Sequence, residues 1–431
     1  MSSQRAGVVI SATGDSMITR RMSANTKSQE IARIVKKTDV GFTNCEMLFH
    51  RYESHPMKPL RRATAMAAEP FLARELRSMG FGIVSLCNNH VCDYGPQGMY
   101  STIAALEDAG IVHAGAGKDL DEAREPKYLE TEKGRIALIA SSWDPFQEGW
   151  ERASKTKGGV PARPGINLLR VDTDYVVSRE TFDALIKAAS ELGLRSPEPI
   201  RGDSATQEFD FLGYKFRCDN DLGIYRTIRN EDLRENILSI EDARKRADCV
   251  LFSFHCHTGK DIAREYPPDF LCQFARQCID AGADAFIGHG PHILRGIEIY
   301  RRRPIFYSLG NFIVQPYTVR RVPDDQFELF GLGGTARPSD FFLARSPTWH
   351  PASESHLRSI VAVFELVEGQ LADLTLHPIT MGIGQRNIAE VGYPELAGGA
   401  EARGIIELLR RLSVDWNTDV ICENSAWKVV L

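Results

Sequence analysis

Five short apolar runs in this chain each end in a polar cluster that can bind metal. VVISAT precedes Gly14-Asp15, and DVGFT precedes Asn44-Cys45-Glu46. FGIVSLC precedes Asn88-Asn89-His90, CVLFSF precedes His255-Cys256-His257, and ADAFI precedes Gly288-His289-Gly290-Pro291-His292. A β-branched apolar run of this length reads as a buried strand. Buried strands recurring between helical patterns predict an α/β fold, in which ligands bind beyond the carboxyl ends of the strands. One rim would then collect two carboxylates, an amide and several imidazoles, a ligand set for two hard-to-borderline divalent metals.

Composition excludes several alternatives. The 431 residues are 43% hydrophobic and 25% charged, ordinary values for a globular protein. A net charge of -5 with no basic stripe argues against nucleic acid as a partner. No apolar stretch approaches the roughly 20 residues that span a bilayer, which argues against a membrane span. The N-terminal MSSQRAGVVISATGDSM has too short an apolar run for a signal peptide, so the expected location is cytoplasmic. Nine cysteines without a repeating spacing favour reduced thiols over a disulfide framework.

Periodicity predicts helices at 27–37, 67–79 and 97–109, the last with Pro96 at its start and Gly110 at its end. A strand at 135–141 follows. Residues 144–235 break the rhythm with one clear helix, 179–192, and read as an insertion placed to cover the site. The rhythm returns with a strand at 249–255, a helix at 268–281, a strand at 284–288 and a strand pair at 296–300 and 304–308. Residues 316–357 lack periodicity and read as a long irregular loop, a lid or binding element. Strands 359–366 and 371–376 and a helix at 400–412 close the chain. The expected division is a catalytic domain over 1–330, containing the insertion, and a loop, strands and helix over 331–431 packed on it.

Each polar residue has a bland reading beside the chemical one. Asp15 and Glu46 ligate a metal or cap a helix. Asn89 ligates through its carbonyl, and His90 ligates or acts as a general acid, unless the pair only builds a turn. His255 and His257 are two apart on a strand and share a face. His289 and His292 flank a Gly-Pro turn. Two close histidine pairs at strand ends favour metal over satisfied core histidines. Arg163 and Arg170, in ARPGINLLR, grip a substrate carboxylate bidentately or form surface ion pairs. His50, Arg51 and Lys58 form a substrate-facing basic patch or a solvated surface. Two ions about 3.5–4 Å apart would acidify water and polarise a carbonyl or phosphoryl oxygen. Mixed O and N ligands admit Mn, Zn, Fe, Co, Ca or Mg.

The stretches SLCNNHVCDYGPQGM, AGADAFIGHGPHILRGIEIY and RPIFYSLGNFI carry a resemblance. Over about residues 7–315 the chain resembles the poly-γ-glutamate capsule-synthesis (CapA-type) family of the calcineurin-like metallophosphatase superfamily. The resemblance implies a four-layer α/β/β/α sandwich with a dinuclear metal site at the strand ends. By position, it implies Asp15 on the first metal, Glu46 bridging, and Asn89 and His255 on the second. His289 and His292 would complete the site, with His90 beside it. The chain departs from the pattern in three places. Met17 stands where the superfamily has a histidine two residues after the aspartate. His255-Cys256-His257-Thr258-Gly259 replaces the His-Trp-Gly-Xaa-Glu of many relatives, which makes His257 a replacement ligand or a catalytic base. The final acid of the third motif is absent, though Asp93 follows nearby.

Familiar capsule-type members are envelope-anchored. Soluble relatives include the metal-dependent epimerases of lasso-peptide gene clusters, of the MslH type, which invert the Cα of a C-terminal residue in a ribosomal precursor. The leading expectation is therefore a dimetal peptide epimerase with a peptide as its partner and His90, His257 or His292 as the base. The alternatives are a dimetal hydrolase of phosphoester or amide bonds, a CapA-like polyglutamate-related protein, or a binding protein without catalysis, which Met17 supports best.

Overall fold

The structure, a computed structural model, describes residues 7–22, 25–57, 65–145, 149–194, 200–201, 207–260, 262, 264–345, 353–385, 387–424 and 426–431. Lys58 and parts of the expected insertion and of the 316–357 loop lie outside these residues.

Two large sheets form the main unit, residues 1–168 and 235–431. In the first, the neighbours run Arg358–Val367, Val8–Met17, Val40–Cys45, Phe81–Ser85 and Val112–Ala114. The strands from Val8–Met17 to Val112–Ala114 are mutually parallel, as strands joined by helices must be. Arg358–Val367 runs antiparallel to Val8–Met17, with Val8 opposite Leu366. The tail strands therefore complete the first sheet, extended further by Gln370–Thr380. The second sheet is ordered Ile297–Tyr300, Arg303–Phe306, Ala285–His289, Cys249–His255, Gly134–Ser142 and Lys127–Thr131.

Side-chain alternation sets the layers. In Cys249–His255, Leu251 enters the shared core while Phe252 and Phe254 face the opposite way. Both meet Phe274 of the helix Asp269–Asp280, at centroid distances of 5.4 Å. Across the inner interface, Phe306 of the second sheet lies 5.7 Å from Phe364 of the first. Helices Thr26–Lys36 and Phe71–Met79 bury Ile31, Val35, Leu72 and Leu76 in the same core. Each such side chain contributes about 1.5–3 kcal/mol of burial. The result is the expected four-layer α/β/β/α sandwich.

Most helix limits fall where capping predicts, including Gly95–Asp108 and Gly399–Ser413. The helix expected at 67–79 starts later, at Phe71. A residue before proline avoids the helical region, and Ala67–Ala68 instead pairs with Leu48–Phe49. Two further expectations need correction. Within 316–357 the described residues are not all irregular: they carry helices Asp324–Leu329 and Pro338–Arg345, held by Phe327, Phe330 and Phe341. The 144–235 segment contains more than one helix. Residues 169–234 form a second compact unit. In that unit a five-stranded sheet backs helix Arg179–Glu191 through Phe182, Phe209 and Phe216. Its strands, such as VDTDYVV and YKFRC, carry charges on one face, and Lys215 lies 3.2 Å from Asp174.

Candidate metal centre

The inner faces of both sheets end at one rim. Asp15 sits at an irregularity near the end of Val8–Met17, where register shifts between Ala12 and Asp15. Gly14 permits this: an added Cβ would collide with the Gly310 carbonyl, to which Asp15 N–H donates at 3.0 Å. From the second sheet, His255 and His289 stand opposite each other in parallel register.

Two ligand groups result. In the first, Asp15, His255 and His289 are all buried, and one donor atom of each lies within 4.8 Å of the others. Asp15 Oδ1 is 3.6 Å from His289 Nδ1 and 3.9 Å from His255 Nδ1. In the second, Glu46, His257 and His292 meet the same limit of 4.8 Å. Glu46 Oε1 is 4.0 Å from His257 Nε2, and Oε2 is 3.8 Å from His292 Nδ1. The groups adjoin, with Asp15 Oδ2 at 3.3 Å from His292 Nδ1 and Glu46 Oε1 at 3.8 Å from His255 Nε2.

The donor set fits two divalent cations. Burial pushes the His255 imidazole well below its ordinary value, and neighbouring histidines push it further. Burial likewise lowers His289, to about 4, against the pull of Asp15. Both rings are therefore neutral at pH 7, the form that ligates. Burial raises Asp15, but His292, His289 and Asn44 outweigh it and hold the carboxyl below its usual value. His255 Nε2 is buried with no hydrogen-bond partner among the described residues, an atom suited to a cation.

A surrounding shell orients these groups, as metal sites require. Ser253 Oγ lies 2.7 Å from His289 Nε2. Asn311 Oδ1 lies 2.9 Å from His292 Nδ1, whose residue holds a left-handed φ of 63°. Asp144 Oδ2 lies 3.1 Å from His257 Nδ1 and accepts the His257 backbone N–H at 3.1 Å. Asn44 Nδ2 donates to Asp15 Oδ1 at 2.8 Å, and Asn88 Nδ2 donates to Asn44 Oδ1 at 3.2 Å. Sequence reasoning missed these five as positioning groups. Asn44, Asn88 and Asn311 stood within the quoted motifs, whereas nothing around Asp144 signalled its role.

The remaining expected site residues divide. His90 sits beside the site, with Nδ1 at 2.7 Å from Asp93 Oδ2 and Nε2 at 3.9 Å from Glu46 Oε1. Asn89 is half-buried on the same turn. Met17 is buried near the strand end, and its carbonyl accepts Gln315 N–H at 2.9 Å. His50 is not a surface group. It is buried, accepts Tyr52 N–H at 3.0 Å and packs its ring 4.4 Å from Tyr94. The two arginines have local partners instead of an open fork. Arg163 donates to the carbonyls of Arg152 and Gly149 at 3.1 and 3.2 Å. Arg170, in the second unit, binds Asp232 at 2.8 Å and Glu231 at 2.6 Å.

Fold and site together define an α/β/β/α protein with two adjoining carboxylate–imidazole groups that could hold metal. The chain belongs to the family described as bacterial capsule synthesis protein PGA_cap, which it matches over residues 9–316. It is 34% identical to the uncharacterized protein y4sH of Sinorhizobium fredii (strain NBRC 101917 / NGR234), covering 97% of this chain and 92% of that one. It is 23% identical to the capsule biosynthesis protein CapA of Bacillus anthracis, over 58% of this chain and 44% of that one. A probable polyglutamine synthesis accessory protein of Mycobacterium tuberculosis is 25% identical over 69% of this chain and 55% of that one. The match thus spans about half the length of the latter two. Among solved structures, a novel phosphatase of Mycoplasma pneumoniae aligns with a TM-score of 0.41 and 11% identity, over 87% of this chain and 94% of that one. Among the described residues, no helix is long and apolar enough to cross a membrane.

Proposed function

We propose that this protein is a metal-dependent enzyme that epimerises the Cα of a peptide's C-terminal residue. The observation carrying this reading is a pair of imidazole–carboxylate dyads, His90–Asp93 and His257–Asp144, on one carboxylate. Their outer Nε2 atoms lie 3.9 and 4.0 Å from the same oxygen, Glu46 Oε1. Inversion takes a proton from one face of a carbon and returns one to the other, and two imidazoles at one locus suit that task. Asp93 and Asp144 accept the Nδ1–H of their histidines, which leaves each Nε2 free to take or give the proton. Asp15, His255 and His289 would hold one divalent ion, and Glu46 and His292 would hold the other. Bound there, the ions supply Lewis-acid polarisation of the substrate carbonyl. A ribosomal precursor peptide would be met in the cytoplasm, which makes that the location under this reading.

A second reading is dimetal hydrolysis of phosphoester or amide bonds. The same donor set supports it. One experiment separates the two. Protein reconstituted with Mn or Zn is incubated in D2O with peptides bearing free C-termini, with oligo-γ-glutamate and with bis(p-nitrophenyl) phosphate. Epimerisation adds one deuteron to an uncleaved peptide. Fragments or released nitrophenol select hydrolysis, and an unchanged substrate set sinks both.

A further inference from the structure

The second unit's sheet has an open edge. Gly223–Ile228 is the last strand in the order of that five-stranded sheet and, among the described residues, pairs only with Val171–Val177. The ladder is antiparallel and regular, from Val171 opposite Ile228 to Val176 opposite Gly223. Just beyond the strand and in the same register, Arg229 N–H donates to the Arg170 carbonyl at 2.9 Å. Along an antiparallel strand, residues turn their N–H and C=O alternately toward and away from the partner. Gly223, Tyr225 and Thr227 therefore bond inward as Arg229 does. Ile224 and Arg226 turn both N–H and C=O outward.

The side chains on this edge are largely apolar. Leu222, Ile224 and Tyr225 are 58%, 50% and 39% exposed. Natural edge strands are blunted by proline, lysine or a bulge, and an edge without them invites another strand. GIYRTI has none of these, and its one charge, Arg226, is half-buried.

Charge selects the partner. Exposed Asp221 precedes the strand and exposed Arg229 follows it. An antiparallel copy turned about an axis at Tyr225 brings Asp221 of each chain opposite Arg229 of the other. In that register Ile224 stands opposite Arg226, so their outward N–H and C=O groups meet. Leu222 falls beside Ile228, and the two Tyr225 rings make an aromatic cross-strand pair. A register displaced by one residue would set outward-bonding residues against inward-bonding ones and lose the ladder.

We propose that Gly223–Ile228 is a homodimer interface, through which two copies join their five-stranded sheets edge to edge about a twofold axis at Tyr225. A pair of six-residue strands covers less than the roughly 1,200 Å² of a standard interface, so the dimer should be weak and concentration-dependent.

Sedimentation equilibrium of the full chain at loadings from about 1 to 100 μM tests this. The weight-average mass should rise from 48.1 kDa toward twice that value. Ile224→Pro removes an N–H that the monomer's ladder does not use, so far-UV circular dichroism should hold while self-association weakens about tenfold or more. Asp221→Arg sets like charges opposite each other and should weaken it about fivefold or more. Tyr225→Cys reads the register, because its Cα atoms would face each other about 4.5 Å apart across the axis, within disulfide reach. Under oxidised glutathione it should form a covalent dimer that dithiothreitol releases. The parent should not, nor should Leu192→Cys, exposed in the same unit but off the edge. A parent that stays monomeric at every loading, unchanged association in both Ile224→Pro and Asp221→Arg, or a dimer that Tyr225→Cys fails to cross-link would each overturn the interface.

Discussion

His255 and His289 face each other across two parallel strands, with their Nδ1 atoms 3.0 Å apart. Burial keeps both imidazoles neutral, so the short separation is no clash of cations. The pair depends on strand register, since a slip of one residue would turn either ring to the opposite face, where Phe254 and Phe286 pack.

The first prediction concerns metal. Asp15→Ala and His289→Ala each remove a donor from the fully buried group. Metal per chain, measured by plasma mass spectrometry on protein purified without chelator, should fall by about one ion or more. Far-UV circular dichroism should stay unchanged. Full metal content in both variants would refute the assignment of this group.

Asp144→Asn separates proton transfer from metal binding. The amide can still meet His257 Nδ1, but it no longer stabilises a charged ring. Turnover of a responsive peptide should drop about 10–100-fold while metal content stays close to the parent. Equal loss of metal and activity would make His257 a ligand first and a base second.

Metal-stripped protein should weaken in mild acid. The unfolded chain protonates its histidines near 6.5, whereas folded His289 resists until about 4 and His255 is also lowered, burial being the main cause of both. Between those values the unfolded state binds more protons, so stability falls as pH drops from about 6.5 toward 4. Thermal melts at pH 7 and pH 5 in EDTA should show a lower Tm at pH 5. An equal or higher Tm would contradict the neutral-histidine reading.

Arg295 should matter for stability out of proportion to its distance from the chemistry. Its guanidinium serves the carbonyls of Cys256, His257, Thr258 and Arg264, the loop that carries His257. Arg295→Met leaves these carbonyls unsatisfied and should cost about 3 kcal/mol or more in denaturant unfolding. Arg295→Lys should recover part of that, because one ammonium reaches fewer acceptors than the planar fork. A loss under about 0.5 kcal/mol in the methionine variant would disprove the clamp.

Gly14→Ala tests the close approach that seats Asp15. Its Cβ would enter the space of the Gly310 carbonyl, so one strand must move. The variant should express poorly or lose metal as fully as Asp15→Ala does. A well-folded variant with full metal would show that the strands can part without displacing the carboxylate.

The strand-end motifs were legible because each lies in one contiguous segment. Asp15, Glu46, His255, His289 and His292 needed no long-range information to be singled out. The dyad partner Asp144 was not legible: its link to His257 spans 113 residues and follows no spacing rule. The helices Asp324–Leu329 and Pro338–Arg345 were hidden because glycine, proline and serine around them mask a short aromatic cluster. The sheet of residues 169–234 was hidden because its charged alternation reads as solvated loop until the register pairs Asp174 with Lys215.

By itself the sequence determined the α/β rhythm, the candidate metal ligands and the strand ends that bear them. Those follow from local periodicity and side-chain chemistry. Only the tertiary structure decided which donors share a group, which histidines gain a carboxylate partner, that His50 is buried, and that Arg163 and Arg170 are engaged elsewhere. These are matters of distance and burial across separate strands, and they are set when two sheets close on one core.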